Sequence, residues 1–126
     1  MERHERGKVH IVEPQDLFVP TLVDVFSEAG LFVDRVSEQI DPQILLEEQP
    51  DLLFVDSDYL DDPLRAVRLA RTLAAHAFIV IYSNSRGGGS EDAFLAAGAA
   101  VVLDKSAERE SIVETLRAPR NRTGNG

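Results

Sequence analysis

"DLLFVDSD", residues 51–58, is the stretch on which the fold turns. Leu52, Leu53, Phe54 and Val55 form an unbroken apolar run. It lacks polar alternation, the pattern of a strand covered on both faces, as in parallel sheets with helices above and below. The run ends on Asp56, with a second carboxylate at Asp58. A buried carboxylate is costly unless paired or hydrogen-bonded, so partners for Asp56 must come from elsewhere in the chain.

Working outward, apolar runs alternate with helix-like stretches. Strands are expected at Lys8–Val12, Leu31–Val36, Leu52–Asp56, Phe78–Tyr82 and Ala100–Leu103. A helix from Asp16 to Ala29 carries Phe18, Leu22, Val25, Phe26 and Ala29 near three-four spacing, and Gly30 stops it. Asp41-Pro42 and Asp62-Pro63 each place an N-cap acid before a proline at the first helical position. The second helix ends before Pro50; the third directs Leu64, Val67, Ala70 and Leu73 to the core. Ser90 is the expected cap of the fourth, which carries Ala93, Phe94 and Ala97 inward and ends at Gly98. Ser106 or Ala107 starts the fifth, with Ile112, Val113 and Leu116 as its apolar stripe. Five strand–helix units in strict alternation imply an α/β fold: a doubly wound five-stranded parallel sheet with right-handed crossovers. Ligands of such sheets bind beyond the carboxyl ends of the strands, where strand order reverses.

With 126 residues, 44% of them hydrophobic and 28% charged, the chain has the size and composition of one globular domain. Residues 1–7 are expected to be a flexible N-terminus, 8–118 the domain and 119–126 a disordered tail. Without cysteine there are no disulfides and no thiolate chemistry. Acids outnumber bases 22 to 13, a formal charge of −9, which disfavours nucleic-acid binding. No apolar stretch approaches the ~20 residues of a membrane span. The opening "MERHERGK" is not a signal peptide, so a cytoplasmic location is expected.

The residues after each strand define the candidate site. Glu13 and Pro14 follow the first, Asp56, Ser57 and Asp58 the third, Ser83 to Ser85 the fourth, and Asp104 and Lys105 the fifth. Singly, each has an ordinary reading: Asp56 as a turn cap, Glu13 as a solvated acid near a helix start, Ser83 as a turn residue, Lys105 as a surface cation. Together, two acids, a hydroxyl and an ammonium at corresponding ends of one parallel sheet are more than chance would place there, and they mark the candidate site. The three histidines, His4, His10 and His76, are too dispersed for a metal site, and His10 reads as a core or edge residue. "RGGGS", Arg86–Ser90, lacks the lysine and spacing of a nucleotide-binding loop and reads as a flexible connection.

From Lys8 to Leu116 the chain resembles the receiver domain of two-component response regulators, which has the flavodoxin-like topology. The resemblance rests on "VHIVE", "PDLLFVDSD", "IVIYSNS" and "AFLAAGAAVVLDKS". It implies that Asp56 accepts a phosphoryl group from a histidine kinase or phosphotransfer protein. It further implies that Glu13, Asp56 and the backbone carbonyl of Asp58 hold a weakly bound Mg²⁺, that the Ser83 hydroxyl contacts the phosphoryl group, and that Lys105 pairs with the acids. A non-enzymatic signalling module is implied. Its further partners would be a downstream target or output domain, with a homodimer through the fourth helix, fifth strand and fifth helix.

Departures from the family pattern are definite. Pro14 stands where a second, metal-ligating acid is customary, and Leu60 and Leu64 replace a proline and a glycine. Val102 replaces an aromatic, and Ser106 a proline. These departures favour an alternative, a phosphorylation-independent pseudo-receiver that acts by protein–protein interaction. "VDSDYL" also resembles the Asp-x-Asp motif of haloacid-dehalogenase-type phosphatases, with Asp58 as general acid. That family carries the motif on its first strand and an acid pair after the lysine, which "SAERESIVETLRAPRNRTGNG" lacks.

Overall fold

A computed structural model describes residues 7–84 and 88–125, with side chains described over 7–84 and 91–119. Of the flexible connection expected at Arg86–Ser90, residues 86 and 87 lie outside the described residues, as do 1–6 of the N-terminus expected at 1–7, whereas 88–90 open a helix. In chain order the strands are β1 Val9–Val12, β2 Arg35–Ser37, β3 Leu52–Asp56, β4 Phe78–Ser83 and β5 Val101–Asp104. The helices are α1 Val19–Glu28, α2 Pro42–Glu48, α3 Pro63–Leu73, α4 Gly88–Ala97 and α5 Arg109–Asn125. The sheet order is β2-β1-β3-β4-β5 with every pair parallel. This is the doubly wound, flavodoxin-like arrangement, and strand order reverses between β1 and β3.

Alternation along β3 builds the core. Leu52 and Phe54 join Val9, Ile11, Phe26 and Leu116 on the face covered by α1 and α5. Leu53 and Val55 join Val67, Ile79, Ile81 and Phe94 on the face covered by α2, α3 and α4. Both faces are therefore dry, which is why β3 is continuously apolar. On α3, Val67 and Ala70 are buried while Leu64 and Leu73 pack at the rim. Ala97 and Phe94 are core residues of α4.

Capping follows the local chemistry. Asp41 accepts the N–H groups of Gln43 and Ile44, and Asp62 accepts that of Arg65. After α1, Leu31 N–H reaches Phe26 O and Gly30 N–H reaches Ser27 O, with Gly30 at φ +84°. Gly98, at φ +123°, ends α4 with the same pair of bonds, from Ala99 to Phe94 and from Gly98 to Leu95. Both are Schellman terminations, which need a residue free of Cβ strain.

Several expectations are corrected. The first helix opens as a 3-10 turn, Asp16–Phe18, and becomes α-helical at Val19. Pro20, lacking an N–H, is suited only to that opening turn. Phe18 is then exposed rather than core-facing. The second strand is Arg35–Ser37, not Leu31–Val36. Residues 31–34 carry the chain from the end of α1 to the sheet edge, where Asp34 uses its carboxylate to accept the Val9 N–H. Helix α4 starts at Gly88, so Ser90 lies inside its first turn. Helix α5 starts at Arg109, because the Asp104 carboxylate and carbonyl first capture the N–H groups of Ser106 and Ala107. It runs on to Asn125, with Pro119 inside it. No described helix is long and apolar enough to cross a membrane.

Candidate functional site

The four strand ends bring their polar residues to one rim of the sheet. Asp56 closes β3 and is fully buried. Its Oδ1 accepts the Asp58 N–H at 3.1 Å and so caps the 3-10 turn Ser57–Tyr59. The turn-cap reading and the reactive reading thus concern different oxygens, because Oδ2 lies 2.8 Å from Lys105 Nζ.

Lys105 follows β5, anchored where its backbone N–H donates to Ser83 O at 3.0 Å. Its side chain, only 14% exposed, also pairs with Asp58 Oδ2 at 2.9 Å. The ammonium stands 5.1 Å from the ring centre of Tyr59 and 5.5 Å from that of Tyr82, within cation–π range. Burial alone would lower the Lys105 pKa, but hydrogen bonds to Asp56 and Asp58 outweigh it and hold the group above its ordinary value. Lys105 is therefore a cation throughout the physiological range. Ser83 ends β4, is buried, and donates from Oγ to Asp58 Oδ1 at 3.1 Å.

Glu13 follows β1 and is 1% exposed. Its Oε2 accepts the Gln15 N–H at 3.0 Å, a bond across Pro14. No donor among the described residues faces Oε1. Glu13 and Asp56 can share a hydrogen bond only when one carboxyl holds a proton, and burial followed by that bond pushes Glu13 up to about 7. Folding therefore takes up a proton here, and stability falls as pH rises from the ordinary carboxyl value toward 7. Glu13→Gln is expected to be more stable than the wild type at pH 8, where the wild-type carboxyl must give up its proton while buried. At pH 4 the two should unfold alike. Urea unfolding at both pH values checks this, and equal stabilities at pH 8 would refute it.

The residues can hold a cation only in a restricted way. Pro14 brings no ligand, and no group of three or more His, Asp or Glu side chains among the described residues is arranged as a metal centre. The unpartnered Glu13 Oε1 and Asp56 are two carboxylates side by side. Such a set suits Mg²⁺, which keeps several waters and needs one or two carboxylates.

Glu13, Asp56, Ser83 and Lys105 are thus gathered where the sequence places them. In the receiver reading Asp58 enters only through its main-chain carbonyl, its carboxylate having a role only in the phosphatase alternative. Its side chain proves more consequential, because it also accepts the Asn84 N–H, at 3.2 Å to Oδ1 and 3.0 Å to Oδ2. The signal was present in the Asp-x-Asp spacing. Its meaning required knowing that a 3-10 turn points residue 58 back toward β4 and β5. Val102 is half-buried against the α2–α4 core, so the aromatic neighbours of the cluster come from Tyr82 and Tyr59 instead. At Ser106 the backbone N–H donates to Asp104 at 2.7 Å, a bond proline could not make. His10, buried in β1, places Nε2 at 3.1 Å from Glu48, itself bound to Arg35.

No family model matches the chain, and no curated protein does. Solved structures do. The signal receiver domain of the response regulator NarL from Mycobacterium tuberculosis superposes with a TM-score of 0.80 at 18% identity, covering 92% of this chain and 97% of that one. A LuxR-family two-component response regulator from an Aurantimonas species gives 0.83 at 18%, covering 92% and 86%. A Burkholderia pseudomallei response regulator bearing a phosphorylated aspartic acid, a calcium ion and citrate gives 0.74 at 19%, covering 94% and 71%. The fold of this chain is that of response regulator receiver domains.

Proposed function

We propose that this domain is a receiver module that accepts a phosphoryl group on Asp56. The observation that carries the reading is a fully buried carboxylate held at 2.8 Å by a lysine ammonium, at the switch point of a receiver-fold sheet. A carboxylate in that setting is a nucleophile rather than a structural charge. The step conserves atoms. An Asp56 oxygen attacks the phosphorus of a kinase phosphohistidine, the O–P bond forms, and the P–N bond breaks. The electron pair leaves on the imidazole, which takes a proton from water. Lys105 offsets the charge gathered on the transferring group, and Ser83 offers a hydroxyl to one of its oxygens. Mg²⁺, held by Glu13, Asp56 and the Asp58 carbonyl, would neutralise further charge when bound. That a structural neighbour carries a phosphorylated aspartic acid supports the reading.

The partners this implies are a histidine kinase or phosphotransfer protein upstream and a target protein or output domain downstream. The surface of α4, β5 and α5 is the expected homodimer face. A second reading, a pseudo-receiver that binds partners without phosphorylation, is favoured by Pro14 in place of a second acid. One experiment separates them. Acetyl phosphate with Mg²⁺ is expected to add the mass of a single phosphoryl group to the wild type and none to Asp56→Asn. No gain in the wild type would leave the pseudo-receiver; equal gain in both would place the acceptor elsewhere.

A further inference from the structure

We propose that the Asp58 carboxylate is an internal occupant of the phosphoryl subsite, competing with an incoming phosphoryl group for the donors that would hold it. The inference rests on the phosphoacceptor reading of Asp56. Three donors from the ends of β4 and β5 converge on this one carboxylate: Ser83 Oγ at 3.1 Å, the Asn84 N–H at 3.0 and 3.2 Å, and Lys105 Nζ at 2.9 Å. A hydroxyl, a main-chain N–H and an ammonium aimed at one point make a site for an oxyanion. Here the anion filling it belongs to the chain itself.

The turn explains how it gets there. The Asp58 N–H donates to Asp56 Oδ1, which fixes the backbone of residue 58 against the acceptor side chain. The side chain of Asp58 then spans to β4, and both ends of residue 58 are held. Lys105 is shared, with Asp56 Oδ2 at 2.8 Å and Asp58 Oδ2 at 2.9 Å. A phosphoryl group on Asp56 would bring terminal oxygens to the same ammonium, hydroxyl and N–H. It must displace Asp58, and it meets a like charge in doing so. Asp58 therefore lowers the affinity of the pocket for phosphoryl donors and sets how readily it is filled.

The test compares wild type, Asp58→Asn and Asp58→Ala, with acetyl phosphate and Mg²⁺ as the donor and intact mass as the readout. Both variants are expected to gain one phosphoryl group at least 10-fold faster than wild type at low donor concentration, and Asp56→Asn in either background to gain none. The Asn84 amide resonance should shift in Asp58→Ala without any donor present. That shift reports that the bond to Asn84 is lost, and unchanged dispersion of the remaining amide resonances reports that the variant is folded. Equal or slower gain in both variants, with the wild type still modified, would overturn the role of Asp58 and leave Asp56 as acceptor. Absence of modification in all three proteins would overturn both.

Discussion

Phe54→Ala is expected to lower the unfolding free energy by about 3–5 kcal/mol, the usual cost of emptying a buried aromatic site. A domain of this size has only about 5–15 kcal/mol in total, so this one substitution removes a large share of it. Phe54 is fully buried at the middle of the central strand. Its ring meets Phe26 edge-on at 5.2 Å and lies tilted 5.1 Å from Tyr82. Removing it deletes both aromatic contacts and leaves a void between the sheet and α1, in a layer whose neighbours are held by β1 and β4 and cannot collapse freely. Urea unfolding gives the value as a shift in midpoint at unchanged slope. A loss below about 1 kcal/mol would mean that the site repacks. Phe54→Leu should recover most of the difference.

Lys105→Met is expected to be nearly as damaging at neutral pH, for an electrostatic reason. The ammonium is the cation paired with both Asp56 and Asp58, and Asp56 has no exposure to water. Removing one partner of a buried pair costs about 3–5 kcal/mol, because the remaining charge stays desolvated. The sign of the pH dependence follows. With its partner gone, a buried carboxylate binds a proton more tightly in the folded chain than in the unfolded one, so the variant gains stability as pH falls. The wild-type contribution of Lys105, whose pKa is raised, is present at every pH below its ordinary 10.5. The gap between wild type and variant should therefore be widest near pH 8 and narrow toward pH 4. Unfolding at the two pH values measures it. A gap of the same size at both would assign the loss to packing of the lysine stem rather than to charge.

These two residues also show what sequence reading reaches. The placement of Phe54 follows from an apolar run, and that of Lys105 from a strand end, so both are set by one-dimensional patterns. The cap prolines and acids, Asp41-Pro42 and Asp62-Pro63, and the terminating Gly30 and Gly98 are equally local, since their effect is complete within a turn of chain. The second strand was displaced because an edge strand of three residues has little pattern to read. The start of α5 was displaced because the Asp104 carboxylate competed for the N–H groups that would have opened the helix.

The sequence by itself determined the alternation of strands and helices, the parallel sheet and the gathering of Glu13, Asp56, Ser83 and Lys105 at its carboxyl rim, since each depends on burial periodicity and on position relative to a strand end. Only the tertiary structure decided which oxygen meets which donor. It turned Asp58 inward onto Ser83, Asn84 and Lys105, and left Glu13 Oε1 facing no donor among the described residues. Those outcomes depend on side-chain directions summed over residues 25 and more apart in the chain, and no local pattern encodes them.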